Sequence, residues 1–445
     1  MSYIMFRKNN YYLALIILSA LYVSFISDID VFAQANSREK SKKKEFGSSL
    51  GKFEKKGNID SKDGKQNNQK ENIQPNGETI RVNTDLVVSD VLVVNEKGNP
   101  VIGLNQSDFM VKEDKLPQKV ELFSSGANAA MPRSIVLIFF NGQYSRYDVE
   151  NSLRAAKSLV DKLAPQDRMA IATCDLTLAV DFTSDKNLLK KTLNNLSEKR
   201  PGNPSVSKDY GTLMAVLDEM FDEKDVRPIV IFQAFGGELG QLRERNLLKL
   251  PEGEPSLLEM EQRANEFNRK HIKKETIEEV KKLYPGRGYG FSDVLERIEK
   301  SRATIYSIIP TMRFVGLPRT EQLKRARISI DEWMRRAVQS TDLGWINSEQ
   351  KKGQEVEADG YIISQSGMIQ IAALSGGLTH FIEQPKDAAK VYDDIFTVIN
   401  DRYTVGYYSN NEARNGKSRS VEIEVRDHPE YKIIGRNSYV APEGP

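Results

Sequence analysis

The sequence predicts an α/β protein: a doubly wound parallel sheet, preceded by a small β-sandwich-like module and followed by a short β extension. Three apolar runs, residues 134–140, 227–235 and 304–310, are continuous rather than alternating, as in strands that are buried on both faces. Segments with helical spacing separate these runs, which is typical of a parallel sheet covered by helices. Turn-rich segments with period-two alternation flank this region on both sides.

The first 33 residues have the three-part pattern of a secretory signal peptide. Arg7 and Lys8 precede an apolar core, residues 13–26, that is too short to span a bilayer comfortably. Small residues follow, and we expect cleavage after Ala33 or Ala35; an uncleaved N-terminal anchor is the alternative. We therefore expect an exported bacterial protein that is periplasmic, on the cell surface or extracellular.

Composition excludes several classes of protein. The chain has 445 residues, a net charge of +2 and one cysteine. The charge gives no case for a nucleic-acid partner, and a single cysteine excludes an internal disulfide. Cys174 follows an apolar stretch, so we interpret it as a small buried core residue and not as a reactive thiol.

Residues 34–78 are poor in apolar residues and rich in lysine, glutamate, asparagine, glycine and serine. Such a segment buries too little surface to offset its ordering entropy, so we predict a disordered charged linker. Its lysines suggest a weak contact with an anionic membrane surface as an alternative to a solvated spacer.

Two β segments enclose the main domain. Residues 79–127 have β-branched runs separated by turn signals, which predicts four or five short strands in a small β module. Residues 401–445 alternate with period two and predict a C-terminal β extension.

The main domain is predicted over residues 132–400. Its first helix is indicated by apolar residues at Val149, Leu153, Ala156 and Val160. Two charged helical insertions, at about 238–285 and 318–352, interrupt the α/β alternation. The second has an amphipathic stretch, which we expect to pack back on the domain; docking to a partner or a membrane surface is the alternative.

Three segments together resemble one family. Residues 403–408, "YTVGYY", follow a helix and precede a hairpin and Tyr439, as in the C-terminal signature of the VWFA-related proteins common in Acidobacteria. Residues 93–123 are similar to the leading β module of that family, and residues 167–196 resemble its von Willebrand type A core. The resemblance implies a Rossmann-like, von Willebrand type A fold and a role in adhesion or protein binding.

In that fold, a metal-ion-dependent adhesion site holds Mg²⁺ through an Asp-x-Ser-x-Ser loop, a threonine and a further aspartate. Here the first aspartate maps to Phe140, the threonine to Thr212, and the last aspartate to Ala234 or Phe235. Because Mg²⁺ needs carboxylates to offset its dehydration, we predict that no metal binds. The alternative is a rearranged Mg²⁺ site that uses displaced acids or hydroxyls: Ser145, Asp148, Asp209, Thr212 and Glu238.

Ligands of doubly wound sheets bind at the carboxyl ends of the strands, so we place a metal-free binding face there. We expect it to bind a protein of unknown identity, through exposed aromatic residues, and no small molecule. The candidate residues are Asn141, Gly142, Gln143, Ser145, Thr212, Phe235 and Glu238.

Sequence motifs give no catalytic residues. His271, His380 and His428 each stand alone, and no metalloprotease, nucleophile-elbow or phosphate-loop motif occurs. The glycine-rich stretches at 236–240 and 286–290 lack a phosphate-loop lysine and are interpreted as flexible connections. We therefore predict a non-enzymatic protein, with an enzyme of uncharacterised class as the alternative.

Overall fold

The computed structural model describes residues 46–54, 86–125, 131–140, 146–198, 208–222, 225, 227–271, 274, 287–337 and 350–443. The first strands are β1 (Leu86–Val94), β2 (Phe109–Glu113), β3 (Leu116–Gln118) and β4 (Val120–Ser125). The main domain contributes β5 (Arg133–Phe139), β6 (Arg168–Thr173), β7 (Thr177–Thr183), β8 (Arg227–Gln233), β9 (Thr304–Ile309) and β10 (Thr379–Phe381). The last are β11 (Tyr403–Tyr408), β12 (Ser418–Val425), β13 (Lys432–Ile434) and β14 (Ser438–Val440).

The helices of the described residues all belong to the main domain, apart from one turn near the N-terminus. They are α1 (Arg146–Asp161), α2 (Lys186–Glu198), α3 (Asp209–Glu219), α4 (Leu257–His271), α5 (Phe291–Lys300), α6 (Arg319–Ala337), α7 (Gln350–Leu374) and α8 (Ala388–Asn400).

The central sheet has six strands in the order β10-β9-β8-β5-β6-β7, and all neighbours are parallel except β6 and β7. From β5 the chain proceeds to one edge through β6 and β7, and then to the other edge through β8, β9 and β10. This reversal is the doubly wound arrangement, and the prediction of a Rossmann-like, doubly wound α/β fold is confirmed. The reversal also places a crevice at the carboxyl ends of β5 and β8.

Both faces of the sheet are covered by helices, which explains the continuous apolar strands. On β5, Val136 and Ile138 face the side packed by α3, α5 and α7. Ile135 and Leu137 face the side packed by α1, α2 and α8. Alternate residues therefore enter two different cores, and neither face tolerates a polar side chain without a partner.

The two β segments are one unit, so the prediction of a separate N-terminal module and C-terminal extension was wrong. One four-stranded sheet has the order β13-β1-β11-β4 and the other β14-β12-β2-β3. The two sheets share a core that includes Val91, Phe109, Tyr403 and Val421. Each sequence segment supplies half of this sandwich, because neither alone buries both of its sheet faces.

Buried ion pairs join the sandwich to the main domain. Arg227 at the start of β8 lies 3.0 Å from the carboxylate of Asp90 on β1. Arg402, which is fully buried, donates to the backbone oxygens of Asp90 and Ile434, each at 2.9 Å. Burial opposes ionisation of Asp90, but the charges of Arg227 and Arg402 outweigh it and lower the pKa of Asp90.

The described residues of both helical insertions pack onto the main domain, as was expected for the second insertion. On α4, Met260 is buried in the core, and Arg263 pairs with the buried Asp359 of α7 at 2.7 Å. On α6, Ala326 is fully buried, and Arg319 also pairs with Asp359, at 2.9 Å. None of the helices in the described ranges is both long and apolar enough to cross a membrane, and the predicted signal peptide lies outside those ranges.

Residues 46–54, hereafter the strap, correct the prediction of a disordered linker over 34–78. They form a 3₁₀ turn, Ser48–Leu50, and a helical turn, Gly51–Glu54. Leu50 and Phe53, each 6 % exposed, join the core beside α3 and α5. Their helical spacing was hidden by the polar average of the segment; the rest of the linker lies outside the described residues.

A second buried carboxyl group lies between α6 and α7. Glu357 is 8 % exposed, and the Ser329 hydroxyl donates a 3.1 Å hydrogen bond to it. The Ser329 hydroxyl is also 3.0 Å from that of Tyr361, which stacks on Phe314. Burial raises the pKa of Glu357 to about 7.

We expect Asp90→Asn to lower the free energy of unfolding by about 3–5 kcal/mol, because Arg227 and Arg402 would stay buried without their neutralising carboxylate. Glu424→Gln is the control, since its pair with Lys112 is exposed and is worth about 0–1 kcal/mol. Urea unfolding measures both. The stability that ionised Asp90 contributes is present above its usual pKa of 3.8 and is lost as pH falls through its lower folded pKa. The wild type and Asp90→Asn should therefore have similar free energies of unfolding in acid. Equal losses in the two variants at neutral pH would contradict this account.

We expect Glu357→Gln to stabilise the chain at pH 8 by up to about 3 kcal/mol and to have little effect at pH 4. Because the folded pKa is raised, the stability of the wild type is at its full value below pH 4.5, where the group is protonated in both states. That stability is lost as pH rises through about 7. Thermal unfolding over this pH range tests the sign. The exposed Glu412→Gln serves as control, and a variant that destabilises at pH 8 would refute the buried, unneutralised carboxyl group.

Candidate functional site

The crevice at the carboxyl ends of β5 and β8 is filled by two aromatic rings. Phe140, directly after β5, and Phe235, after β8, pack edge to face with centroids 4.6 Å apart. Phe140 is buried and Phe235 half-buried, so the pair closes the core and leaves one ring partly at the surface. The position to which the first metal-holding aspartate maps thus carries an apolar plug.

Thr212 has no hydroxyl lone pair directed to solvent. It lies in the first turn of α3 and is fully buried. Its Oγ1 donates to the carbonyl of Thr173 at 3.3 Å and accepts from the backbone N–H of Leu176 at 3.2 Å. The side chain therefore ties the loop after β6 to α3, which is a structural role.

Glu238 lies inside the protein and not on its surface. Its side chain is 0 % exposed, and its Oε2 accepts the backbone N–H groups of Tyr210 at 2.7 Å and Gly211 at 3.1 Å. These groups belong to the first turn of α3, where the backbone has unpaired donors and a partial positive charge. The carboxylate thus caps α3 from a distant loop.

Two further residues complete the shell of Glu238. The Tyr289 hydroxyl donates a hydrogen bond to Oε1, and Arg287 Nε lies 2.9 Å from the same oxygen. Burial and the negative charge of Glu238 raise the pKa of Tyr289, so its hydroxyl keeps the proton that it donates. The backbone and phenol donors, together with the positive charge of Arg287, satisfy a buried charge that would otherwise be very costly.

The loop between β8 and Glu238 depends on Gly236. This residue has a φ of +71°, in the left-handed region that favours glycine. A β-carbon there would also lie 2.8 Å from the backbone oxygen of Ser364 on α7. The close approach and the turn direct Glu238 inward to α3.

Cys174 and Asp209 lie beside this cluster. Cys174 is 1 % exposed in the core, which confirms its interpretation as a buried residue. Burial, together with the charge and hydrogen bond of Asp209, raises the pKa of the thiol well above its usual range. The thiolate that reactive cysteines require is therefore disfavoured here.

The structure brings together only part of the predicted binding face. Phe235 lies at the crevice, whereas the other two described candidates, Thr212 and Glu238, are buried and present no side chain to a partner. The remaining candidates, Asn141, Gly142, Gln143 and Ser145, lie outside the described residues, as does the side chain of Asp148 on α1. Their role in binding stays a prediction.

The described donors of the crevice do not fit a magnesium ion. Thr212 and Glu238 already use their oxygens for protein hydrogen bonds, and the plug is apolar. Over the described ranges, no three His, Cys, Asp or Glu side chains gather as a potential metal-binding group.

The histidines stand apart from the crevice. His380 is on β10, and burial lowers its pKa. His428 is exposed in the hairpin after β12, where it stacks on Tyr431 and lies 2.9 Å from Glu430. His271 ends α4, and its side chain is not among those described.

Arg287 and Tyr289 were not predicted as site residues, because they lie in a stretch interpreted as a flexible connection. That interpretation was wrong for residues 287–290, whose backbone bonds to the first insertion, as in Arg287 N–H to Gln241 at 3.2 Å. The only sequence feature that could have pointed to these residues is that an arginine and a tyrosine alternate with glycines over residues 286–290. Nothing local connects them to Glu238, which lies far away in sequence.

No known protein family matches the sequence, and no curated protein is similar to it. Among solved structures, two structures of proximal thread matrix protein 1 from the mussel byssus resemble the fold. One of them has a zinc-occupied metal-ion-dependent adhesion site (MIDAS) motif. Their TM-scores are 0.29 and 0.28, at 11 % and 12 % identity. Each alignment covers 60 % of this chain and 48 % of the mussel protein, about half its length.

The conserved hypothetical protein BatB from Bacteroides thetaiotaomicron also resembles the fold, with a TM-score of 0.27 and 14 % identity. That alignment covers 60 % of this chain and 98 % of BatB. Scores of this size transfer neither a site nor a function. The fold assignment rests on the strand order of the central sheet.

We expect Glu238→Ala to lower the free energy of unfolding by about 3–5 kcal/mol, because three hydrogen-bond donors and the Arg287 charge would lose their partner in a dry site. Glu252→Ala, at an exposed position of the same insertion, should change it by less than about 0.5 kcal/mol. Chemical denaturation compares the two variants. If they unfold alike, Glu238 does not organise this edge of the sheet.

Proposed function

We propose that the chain is an exported, non-enzymatic protein-binding or scaffold protein that uses the carboxyl edge of its central sheet without a metal ion. The observation that carries the proposal is the Phe140–Phe235 plug at the crevice, where a metal-dependent site would need a carboxylate. A half-exposed aromatic ring at a rigid sheet edge is the kind of anchor that dominates protein interfaces.

The internal use of Glu238 and Thr212 supports the same proposal. A group whose oxygens accept hydrogen bonds from its own protein would have to break them before it could hold a cation or a partner's side chain. Contact with a partner would therefore rely on shape and apolar surface around Phe235. The loop 141–145 would add polar contacts at the rim.

The proposal of export rests on the leader pattern of residues 1–33. A protein partner at the cell surface or in the periplasm fits a binding domain carried on a long charged N-terminal segment. The proposal of a non-enzymatic role rests on the absence of catalytic motifs in the sequence and on the burial of Cys174. An activity screen of the purified chain tests the enzyme alternative.

Crosslinking in the native organism first identifies the partners. In a pull-down without crosslinker, we expect the mature chain to recover these partners equally with and without EDTA. Phe235→Ala should reduce recovery roughly tenfold or more, since it removes the aromatic anchor. Leu188→Ala is the matched control, because Leu188 is an apolar residue, 42 % exposed, on α2. Quantitative mass spectrometry of the captured proteins provides the measurement.

Loss of the partners in EDTA, restored by Mg²⁺, would overturn the metal-free proposal in favour of a rearranged adhesion site. Calorimetric titration with Mg²⁺ or Mn²⁺ gives an independent reading, and heat of binding in the millimolar range or below would support that alternative. Equal recovery by Phe235→Ala and the wild type would move the binding face away from the crevice.

A further inference from the structure

The strap is held on the main domain by a small set of contacts. Leu50 and Phe53 are its buried anchors, and they pack in the core of α3 and α5. The Phe53 ring lies edge-on to Tyr289, with centroids 5.9 Å apart, and the Arg297 guanidinium lies 4.9 Å from its centre. The partly buried Phe46 also packs against this core, but a nine-residue segment with two buried anchors has little of the buried surface that stabilises the rest of the fold.

The last residue of α3 is adapted to the strap. Glu219 places a carboxylate at the helix C-terminus, where the helix dipole is unfavourable for a negative charge. Its two oxygens accept the backbone N–H groups of Gly47 at 2.9 Å and Ser49 at 2.7 Å. The strap thus supplies the donors that offset this charge.

Gly288 provides the second adaptation. Its φ is not in the left-handed region, so its backbone accepts any residue. A β-carbon there would lie 2.6 Å from the backbone oxygen of Phe53, a distance that no real contact shows. The absence of a side chain at 288 lets the strap backbone sit directly on the loop that carries Arg287 and Tyr289.

The strap is therefore one step away from the buried carboxylate. Phe53 contacts Tyr289, the Tyr289 hydroxyl donates to Glu238, and Glu238 accepts the first amides of α3. Removal of Phe53 uncovers Tyr289, which is 6 % exposed with the strap in place. The strap covers the flank of α3 next to the crevice.

We propose that residues 46–54 form a releasable strap, that their seat on α3 and α5 is a docking site for a peptide of this sequence, and that release loosens Tyr289 and Glu238. The seat recognises two apolar anchors three residues apart and two backbone N–H groups that meet a carboxylate. A consequence for partners, a larger accessible edge after release, rests on the proposed function. The release itself does not.

Hydrogen–deuterium exchange of the full chain tests the release. Gly288→Ala pushes on the strap without changing it, and Leu50→Asp removes an anchor. Both variants should speed amide exchange over residues 46–54 and 287–291 and at residues 210–211. We expect an increase of about tenfold to hundredfold, because this corresponds to losing the burial free energy of one leucine side chain. Strand β8 should keep its protection.

Two matched controls accompany these variants. Gly237→Ala adds a methyl group beside Glu238 where nothing lies within 4 Å, and Ser48→Ala changes an exposed strap position without adding a charge near Glu219. Neither should change exchange. If Gly288→Ala and Leu50→Asp leave 287–291 unchanged, or speed exchange in β8 equally, the strap is no separate unit and the proposal fails.

A peptide arm tests the docking site. The double variant Leu50→Asp with Phe53→Ala is mixed with a synthetic peptide of sequence FGSSLGKFE, residues 46–54 with blocked ends. The peptide should restore protection over 287–291, whereas the same peptide with Leu50→Ser and Phe53→Ser should not. Failure of the first peptide, or equal protection by both, overturns the docking site. This reading involves no partner, so it is independent of the pull-down result.

Discussion

A single buried carboxylate organises the carboxyl edge of the sheet. Glu238 has no contact with water, so its charge must be met entirely by the protein. The first amides of α3, the Tyr289 hydroxyl and Arg287 meet it from two separate parts of the chain. The position of α3, the path of residues 287–290 and, through Phe53, the seat of the strap all follow from that requirement.

The contact between the β-sandwich and the main domain also depends on buried charges that must be neutralised. Arg227 and Arg402 are buried where the β-sandwich meets the main domain, and the partly buried Asp90 pairs with Arg227 there. Because β1 comes from the N-terminal side and β11 from the C-terminal side, this network joins both ends of the main domain to one sandwich. The sheet between them is thereby held at its start, while its carboxyl edge is held by Glu238.

The proposed function depends on which side chains lie at the crevice. Two phenylalanines occupy the place where a cation site would need anionic ligands, and the nearby threonine and glutamate are committed to the fold. An apolar, pre-formed edge would cost little reorganisation in the proposed contact with a partner. A strap beside it adds a covered surface that is held by few contacts.

The sequence by itself determined the doubly wound sheet and the aromatic residues Phe140 and Phe235 that follow its strands, because continuous apolar runs and the residues after them are local patterns. It could not decide that residues 79–127 and 401–445 build one sandwich, since strand pairing across the whole main domain leaves no local trace. The inward turn of Glu238, its partners Arg287 and Tyr289, and the seat of Leu50 and Phe53 were likewise settled only by tertiary structure. Each depends on groups far apart in sequence that meet because a buried charge or an apolar side chain had to be satisfied there.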